Sequence, residues 1–226
     1  MEVFLMDMNE LFARALKTDP AQIGHYVQGG FMDASIKPIS EDIKMIGPAF
    51  TVRLPGNDNA MLYYAMKRAP KGSVVVIDRM GDKRVAAVGE MVVQAAKSLG
   101  LAGIIVDGPN TDTRPIKALG FPLFSTGRAS VTNTLKGIDG EYNVPVCCGG
   151  AVVNPGDIVY GDVDGVIVAP ADRFAELVEK AEAADRNEVE WRKNFAEGKY
   201  LDALINIDRL VEEGVKGKIA DLMKVD

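Results

Sequence analysis

Between residues 48 and 126 the chain alternates short β-branched runs with helix-length stretches, and no other feature constrains its fold so strongly. Strands are predicted at 48–54, 73–78, 84–88, 103–107 and 122–126, with helices at 58–68, 90–99 and 113–119. Such alternation buries both faces of a largely parallel sheet, so the class is α/β. Upstream, 7–19 reads as a helix and 20–47 as a long irregular segment. After residue 140 the rhythm changes: "VPVCC", "AVVN", "DIVYGD" and "DGVIVAP" follow one another with only Gly, Pro and Asp turns between them. That part is expected to form a small barrel or meander. Two charged amphipathic helices, 171–197 and 200–222, close the chain, the first with Leu177, Ala181, Ala184 and Trp191 on one stripe. The predicted organisation is an α/β domain over 1–170 and a helical extension over 171–226.

Composition narrows the function classes. With 226 residues and 47% hydrophobic content the chain is long enough to bury a core. A net charge of −6 and a pI near 5.0 offer no general attraction to phosphate backbones or anionic lipid, so neither nucleic acid nor membrane is an expected partner. No apolar run approaches the roughly 20 residues that span a bilayer, and acids stand where a signal peptide would carry Lys or Arg, so a cytoplasmic location is expected. The adjacent Cys147 and Cys148 are poor disulfide partners and read as reduced. One histidine, His25, in a loop-like stretch, leaves little to build a zinc site or a Cys/His nucleophile pair.

Two stretches carry candidate chemistry. In "AVGEMVVQAAKSLGLAGIIVDG" a strand passes at Gly89 into a helix, whose first N–H groups, at Gly89, Glu90, Met91 and Val92, are placed to bind a carboxylate or phosphate. Gly89 as a simple connector and Glu90 as a first-turn acid account for the same residues. In "VDGPNTDTRP" a strand ends at Asp107-Gly108, and functional loops of open α/β sheets lie at the carboxyl ends of strands. Asp112 reads either as the N-cap of the helix that starts near Thr113 or as a hard oxygen ligand for Mg²⁺ or Mn²⁺, and the two roles are compatible. Asp157, Asp162 and Asp164 sit in turn sequences and read as structural.

Taken together, "GPAFTV" at 47–52, "VGEMVVQAAKSLGLAGIIVDG" at 88–108, "FPLFSTG" at 121–127, "GGAVVNPGDIVYGDVDGVIVAP" at 149–170 and the terminal "EVEWRKNFAEG" resemble one family. It includes divalent-metal-dependent 4-hydroxy-4-methyl-2-oxoglutarate/4-carboxy-4-hydroxy-2-oxoadipate aldolases and the regulator of ribonuclease activity RraA. The resemblance covers roughly residues 30–200. It implies a swivelling β/β/α fold, homotrimers or homohexamers, and sites at subunit boundaries. It further implies that Gly89, Glu90, Met91 and Val92 hold the pyruvyl part of a small 2-oxo acid and that Asp112 binds Mg²⁺ or Mn²⁺.

The chain departs from that pattern at one position. The family's Asp-Gly-x-x-Arg-Asp is here Asp107-Gly108-Pro109-Asn110-Thr111-Asp112, so Thr111 replaces a substrate-binding arginine. An uncharged hydroxyl in place of a planar cation costs roughly 1.5–3 kcal/mol of charged hydrogen bonding unless another group substitutes. Arg114 and Arg128 are the candidates. The resemblance thus implies a lyase, an aldolase or decarboxylase, that releases pyruvate from a 4-hydroxy-2-oxo acid or oxaloacetate through a metal-stabilised enolate. Glu188 from a neighbouring subunit is the implied proton-relaying carboxylate. The alternative is a protein-binding regulator of an RNA-processing enzyme, without catalysis. A menaquinone methyltransferase is not expected, because no glycine-rich S-adenosylmethionine signature follows the first strand.

Overall fold

The computed structural model describes residues 7–200 and 206–222, with side chains in the last helix through residue 214. The chain divides into two compact units, Met1–Ala181 and Glu182–Asp226.

The first unit is built on one mixed sheet. β2 (Met45–Arg53), β3 (Val74–Asp78), β4 (Gly103–Asn110) and β5 (Leu123–Arg128) run parallel, in the order β5-β4-β3-β2. β1 (Lys37–Pro38) lies antiparallel against β5, and the β9 (Ile158–Gly161) and β10 (Val166–Ala169) hairpin continues the sheet from β2. The short β6 (Glu141–Tyr142) also pairs with β2. β3 and β4 sit at the centre, and the buried run Val74, Val75, Val76, Ile77 beside Ile104, Ile105, Val106 is what a strand covered on both faces requires. β2 changes partner along its length: Met45 to Pro48 pair with β9, and Ala49 to Arg53 with β3. Pro48, which has no N–H to donate, stands where the ladder changes sides.

The central helices match expectation closely: α3 is Ala60–Met66, α4 Glu90–Ser98 and α5 Thr113–Leu119. They bury Leu62 and Met66, Val92 and Val93, and Ile116 in the same core cluster as the strands. Three expectations are corrected. The helix predicted over 7–19 ends early, as α1 (Met8–Ala15), and the segment predicted as irregular from residue 20 opens with a second helix, α2 (Pro20–Gly24), where Pro20 stands at a helix start that needs no N–H from it. Residues 84–88 form no strand and make only bridges, Ala86 to Thr132 and Val88 to Asn110, since Asp82 Oδ1 already takes the N–H groups of Arg84 and Val85. Beyond residue 140 the expected strands without helices between them are present, but as two antiparallel hairpins and not a separate barrel: β7 (Val146–Cys148) pairs with β8 (Ala151–Val153), and β9 and β10 join the main sheet.

α6 (Ala171–Ala196) begins in the first unit, where Phe174, Leu177, Val178 and Ala181 pack with Leu11, Ala15, Ile23 and Ile167. Tyr160 meets Phe174 edge to face at 6.1 Å and donates its hydroxyl to the carbonyls of Ala15 and Thr18. Of the stripe predicted for this helix, Leu177 and Ala181 are buried, and Ala184 and Trp191 are half-buried. In the second unit the helix predicted from residue 200 is α7 (Ile207–Leu222); residues 201–205 lie outside those described. No helix among the described residues is long and apolar enough to cross a membrane.

Candidate functional site

Three chain segments end side by side at the carboxyl edge of β4. Val88 bridges Asn110 in parallel, Thr111 N donates to Val88 O at 2.9 Å, and Ala129 N donates to Asn110 O at 2.9 Å. β4 runs three residues past its predicted end at 107, through a register shift between Val106 and Pro109, and so carries Asn110 to this edge. The start of α4 and the Thr111-Asp112 corner are thereby brought together.

Asp112 occupies the N-cap position of α5, as its sequence context predicts, but its side chain makes no bond to that helix. It turns instead to the neighbouring one: Oδ2 accepts the N–H of Glu90, the first residue of α4, at 2.9 Å. Gly89, the N-cap of α4, has no side chain with which to cap, so Asp112 caps α4 from 22 residues away. Asp112 holds this pose in the left-handed region, φ 51° and ψ 40°. That conformation costs a non-glycine residue roughly 1–2 kcal/mol, an amount a charge-assisted hydrogen bond offsets. Gly89 is required by the approach itself, because a Cβ there would lie 2.7 Å from Asp112 Oδ2 and 2.9 Å from Thr111 Cγ2.

The other site residues predicted from sequence fall into place around this corner. Glu90 and Thr111 are half-buried, Met91 is 62% exposed, and the Val92 side chain is buried beneath. With the Glu90 N–H taken, the N–H groups of Met91 and Val92 remain as the first-turn donors of α4. Glu188 belongs to the second unit, where it pairs with Arg192 one turn along α6. Arg114 is exposed on the first turn of α5, whereas Arg128 lines a separate pocket with Lys37 and Ser125. Asp157 and Asp162 serve turns: Asp157 Oδ2 accepts from Asn154 N, and Asp162 Oδ1 from Asp164 N.

Several groups that shape this edge are not legible from their own neighbourhood in the chain. The Arg79 guanidinium is fully buried, donating to the carbonyls of Leu54 and Gly56 and to Asp82 Oδ2 at 2.8 Å, and burial lowers its pKa. Gly108 leaves room for it, since a Cβ there would lie 2.8 Å from Arg79 Cγ. Asp107 pairs with Lys83 and accepts the N–H of Gly149 at 2.9 Å, tying the β7–β8 turn to the end of β4. Asp58 accepts the N–H groups of Ala60, Lys136 and Ile138, which hold its carboxyl at about 2. Asn59 reaches Ala87 O, and Asn133 reaches Asn59. Cys148 is buried, and burial pushes its thiol well up; Cys147 is exposed and neither is in a disulfide.

The fold has known counterparts. The family model described as RraA-like, Aldolase/RraA, matches residues 21–168. The chain belongs to that family. It is 42% identical over 150 residues, 66% of this chain and 71% of the relative, to a Halalkalibacterium halodurans protein named "Putative 4-hydroxy-4-methyl-2-oxoglutarate aldolase". Among solved structures it resembles Streptomyces coelicolor RraAS2, described as an unusual member of the RNase ES inhibitor RraA family, with TM-score 0.71 and 26% identity over 81% of this chain and 96% of that one. It also resembles the RNA-processing inhibitor RraA of Thermus thermophilus, with TM-score 0.60 and 25% identity over 66% and 91%. The α/β fold of RraA-like type with a C-terminal helical extension is therefore the fold of this RraA-like chain.

Proposed function

We infer that this RraA-like protein is a divalent-metal-dependent lyase, an aldolase or decarboxylase that releases pyruvate from a small 4-hydroxy-2-oxo acid or from oxaloacetate. The observation that carries the reading is the Asp112 carboxylate clamped against the first turn of α4, with Gly89 leaving the space for it. The aldolase name of the 42% identical relative supports it.

The donor set suits a hard dication. Only Oδ2 of Asp112, an exposed residue, is used in the bond to Glu90, and Mg²⁺ binds through one or two carboxylates while keeping several waters. Among the described residues no three His, Cys, Asp or Glu side chains cluster into a cage, so Asp112 with water and substrate would hold the ion. Bound there, Mg²⁺ or Mn²⁺ supplies Lewis-acid polarisation of the 2-oxo group.

The protein's own residues do the rest. The N–H groups of Met91 and Val92, at the positive end of α4, orient the substrate carboxylate. Thr111 offers a hydroxyl to the oxo-acid end. Aldol cleavage requires loss of the 4-hydroxyl proton, breakage of C3–C4 with its electron pair passing toward the 2-oxo oxygen, and a proton delivered to C3; with oxaloacetate the same bond breaks with release of carbon dioxide and only the proton at C3 is needed. Glu188 of a second copy is assigned the first transfer, which places the complete site between subunits of a trimer or hexamer.

The test is pyruvate release from a panel of 4-hydroxy-2-oxo acids and oxaloacetate with Mg²⁺, Mn²⁺ or EDTA. Turnover that needs the ion and disappears in folded Asp112→Ala is expected. No turnover on any substrate, together with tight and specific capture of an RNA-processing enzyme, would place the protein with the inhibitors its fold resembles.

A further inference from the structure

A pocket borders Asn110, two residues before Asp112, and takes none of its lining from residues 89–92, 111 or 112. It encloses about 390 Å³ between β1 and the end of β5 and is lined by Ser35, Lys37, Asn110, Ser125, Thr126 and Arg128, among others. Its size is that of a small-molecule site. Lys37 and Ser125 are directly opposed in the antiparallel β1–β5 pair, so their side chains leave the sheet on the same face. The floor is polar and ordered: Ser125 Oγ donates to Asn110 Oδ1 at 2.9 Å, and Asn110 Nδ2 donates to Thr111 O at 2.8 Å.

The charge in this pocket runs against that of the chain. In a protein of net charge −6, Lys37 and Arg128 both line one cleft and neither forms an ion pair among the described residues. Glu41 and Asp42 line the adjoining hollow beside Arg128 and Lys117, yet neither is within 4.0 Å of the guanidinium. Lys37 stands opposite Ser125, and Arg128 follows three residues later on β5, so the two cations border the one cleft from different strands. A short ligand with a carboxylate at each end gives each cation its own partner, and a guanidinium fork suits a carboxylate.

We propose that this pocket is a binding site for short dicarboxylates, distinct from the Asp112 corner, with Arg128 holding one carboxylate, Lys37 the other, and the Ser35 and Thr126 hydroxyls between them. Through Asn110 its floor is bonded to the carbonyl of Thr111, so the occupant lies against a residue of the candidate active corner without entering it.

Calorimetric titration of the full chain with succinate, and separately with inorganic phosphate, tests this at fixed ionic strength set with sodium chloride. Saturable succinate binding is expected, tighter than phosphate, weakened about tenfold or more by Arg128→Ala or Lys37→Ala and abolished by the pair. Asp112→Ala should bind succinate like the parent protein. Both cationic side chains are exposed, so the ligand-free melting temperatures of these variants should stay close to that of the parent. Absence of saturation at tens of millimolar succinate overturns the proposal. So does phosphate binding at least as tightly as succinate, or succinate binding that is lost in Asp112→Ala and kept in the Lys37/Arg128 pair.

Discussion

Asp112 accepts the backbone N–H of Glu90 at 2.9 Å, so one carboxylate terminates β4's loop and caps the helix of a different strand–helix unit. A capping role and a metal-holding role are therefore separable by chemistry. Asn keeps a side-chain oxygen for the Glu90 N–H and tolerates the left-handed backbone, while losing the charge. Asp112→Asn should melt close to the parent protein and lose pyruvate release by about a hundredfold or more. Asp112→Ala should lose the same activity and in addition about 1 kcal/mol of stability, the ordinary value of a cap. Equal activity in Asp112→Asn and parent would remove the metal from the account.

Gly89 offers a steric test of the same corner. Its φ of −125° is open to any residue, so alanine carries no backbone penalty there. The added methyl would stand 2.7 Å from Asp112 Oδ2 and must push that carboxylate away. Gly89→Ala is expected to lower kcat/KM for oxo-acid cleavage tenfold or more and to weaken Mn²⁺ binding in a spin-probe titration. Unchanged Mn²⁺ affinity would mean that Asp112 is not the ligand.

Thr111 stands where the resemblance leads one to expect an arginine, and it is half-buried beside Gly89. If the oxo-acid end of the substrate binds there, Thr111→Arg restores a charged, forked donor worth roughly 1.5–3 kcal/mol. A rise of about tenfold in kcat/KM on 4-hydroxy-2-oxo acids is the expected result. A fall on every substrate tried would show that the space beside Thr111 is itself needed.

The periodic parts of this fold were legible, and the side-chain partnerships were not. α4 and α5 appear within a residue of their predicted spans because apolar spacing and punctuation by Gly and Pro are local signals. Residues 84–88 have strand composition, but a single carboxylate, Asp82, takes two of the N–H groups a ladder would need. Asp112 was legible as a cap; which helix it caps depends on a contact 22 residues away in sequence. Arg79 gave no local sign of burial, since its acceptors at Leu54 and Gly56 arrive from a preceding loop.

That buried guanidinium leads to a stability prediction. Arg79 Nε makes no hydrogen bond, while the terminal nitrogens serve two carbonyls and Asp82. Arg79→Met keeps much of the volume and strands those acceptors, so a loss of roughly 3 kcal/mol in denaturant unfolding is expected, with Arg79→Lys recovering only part of it.

Asp58 sets an acid-side limit on stability that can be located in pH. Its carboxyl is held at about 2, below the ordinary 3.8, because Lys136, Ala60 and Ile138 donate backbone N–H groups to the charged form. A group whose folded pKa is depressed contributes its full stabilisation above the unfolded pKa and loses it as pH falls through the folded one. The contribution is therefore complete above about pH 4 and fades toward pH 2. Asp58→Asn should be less stable than the parent at pH 7, with the gap closing across that window, as read from urea midpoints at a series of pH values. Because the same carboxylate fastens the 134–138 segment to the start of α3, the variant should also show faster amide exchange at Lys136 and Ile138. A gap that stays constant from pH 7 to pH 2 would mean that the charge of Asp58 contributes nothing and that shape alone holds the segment.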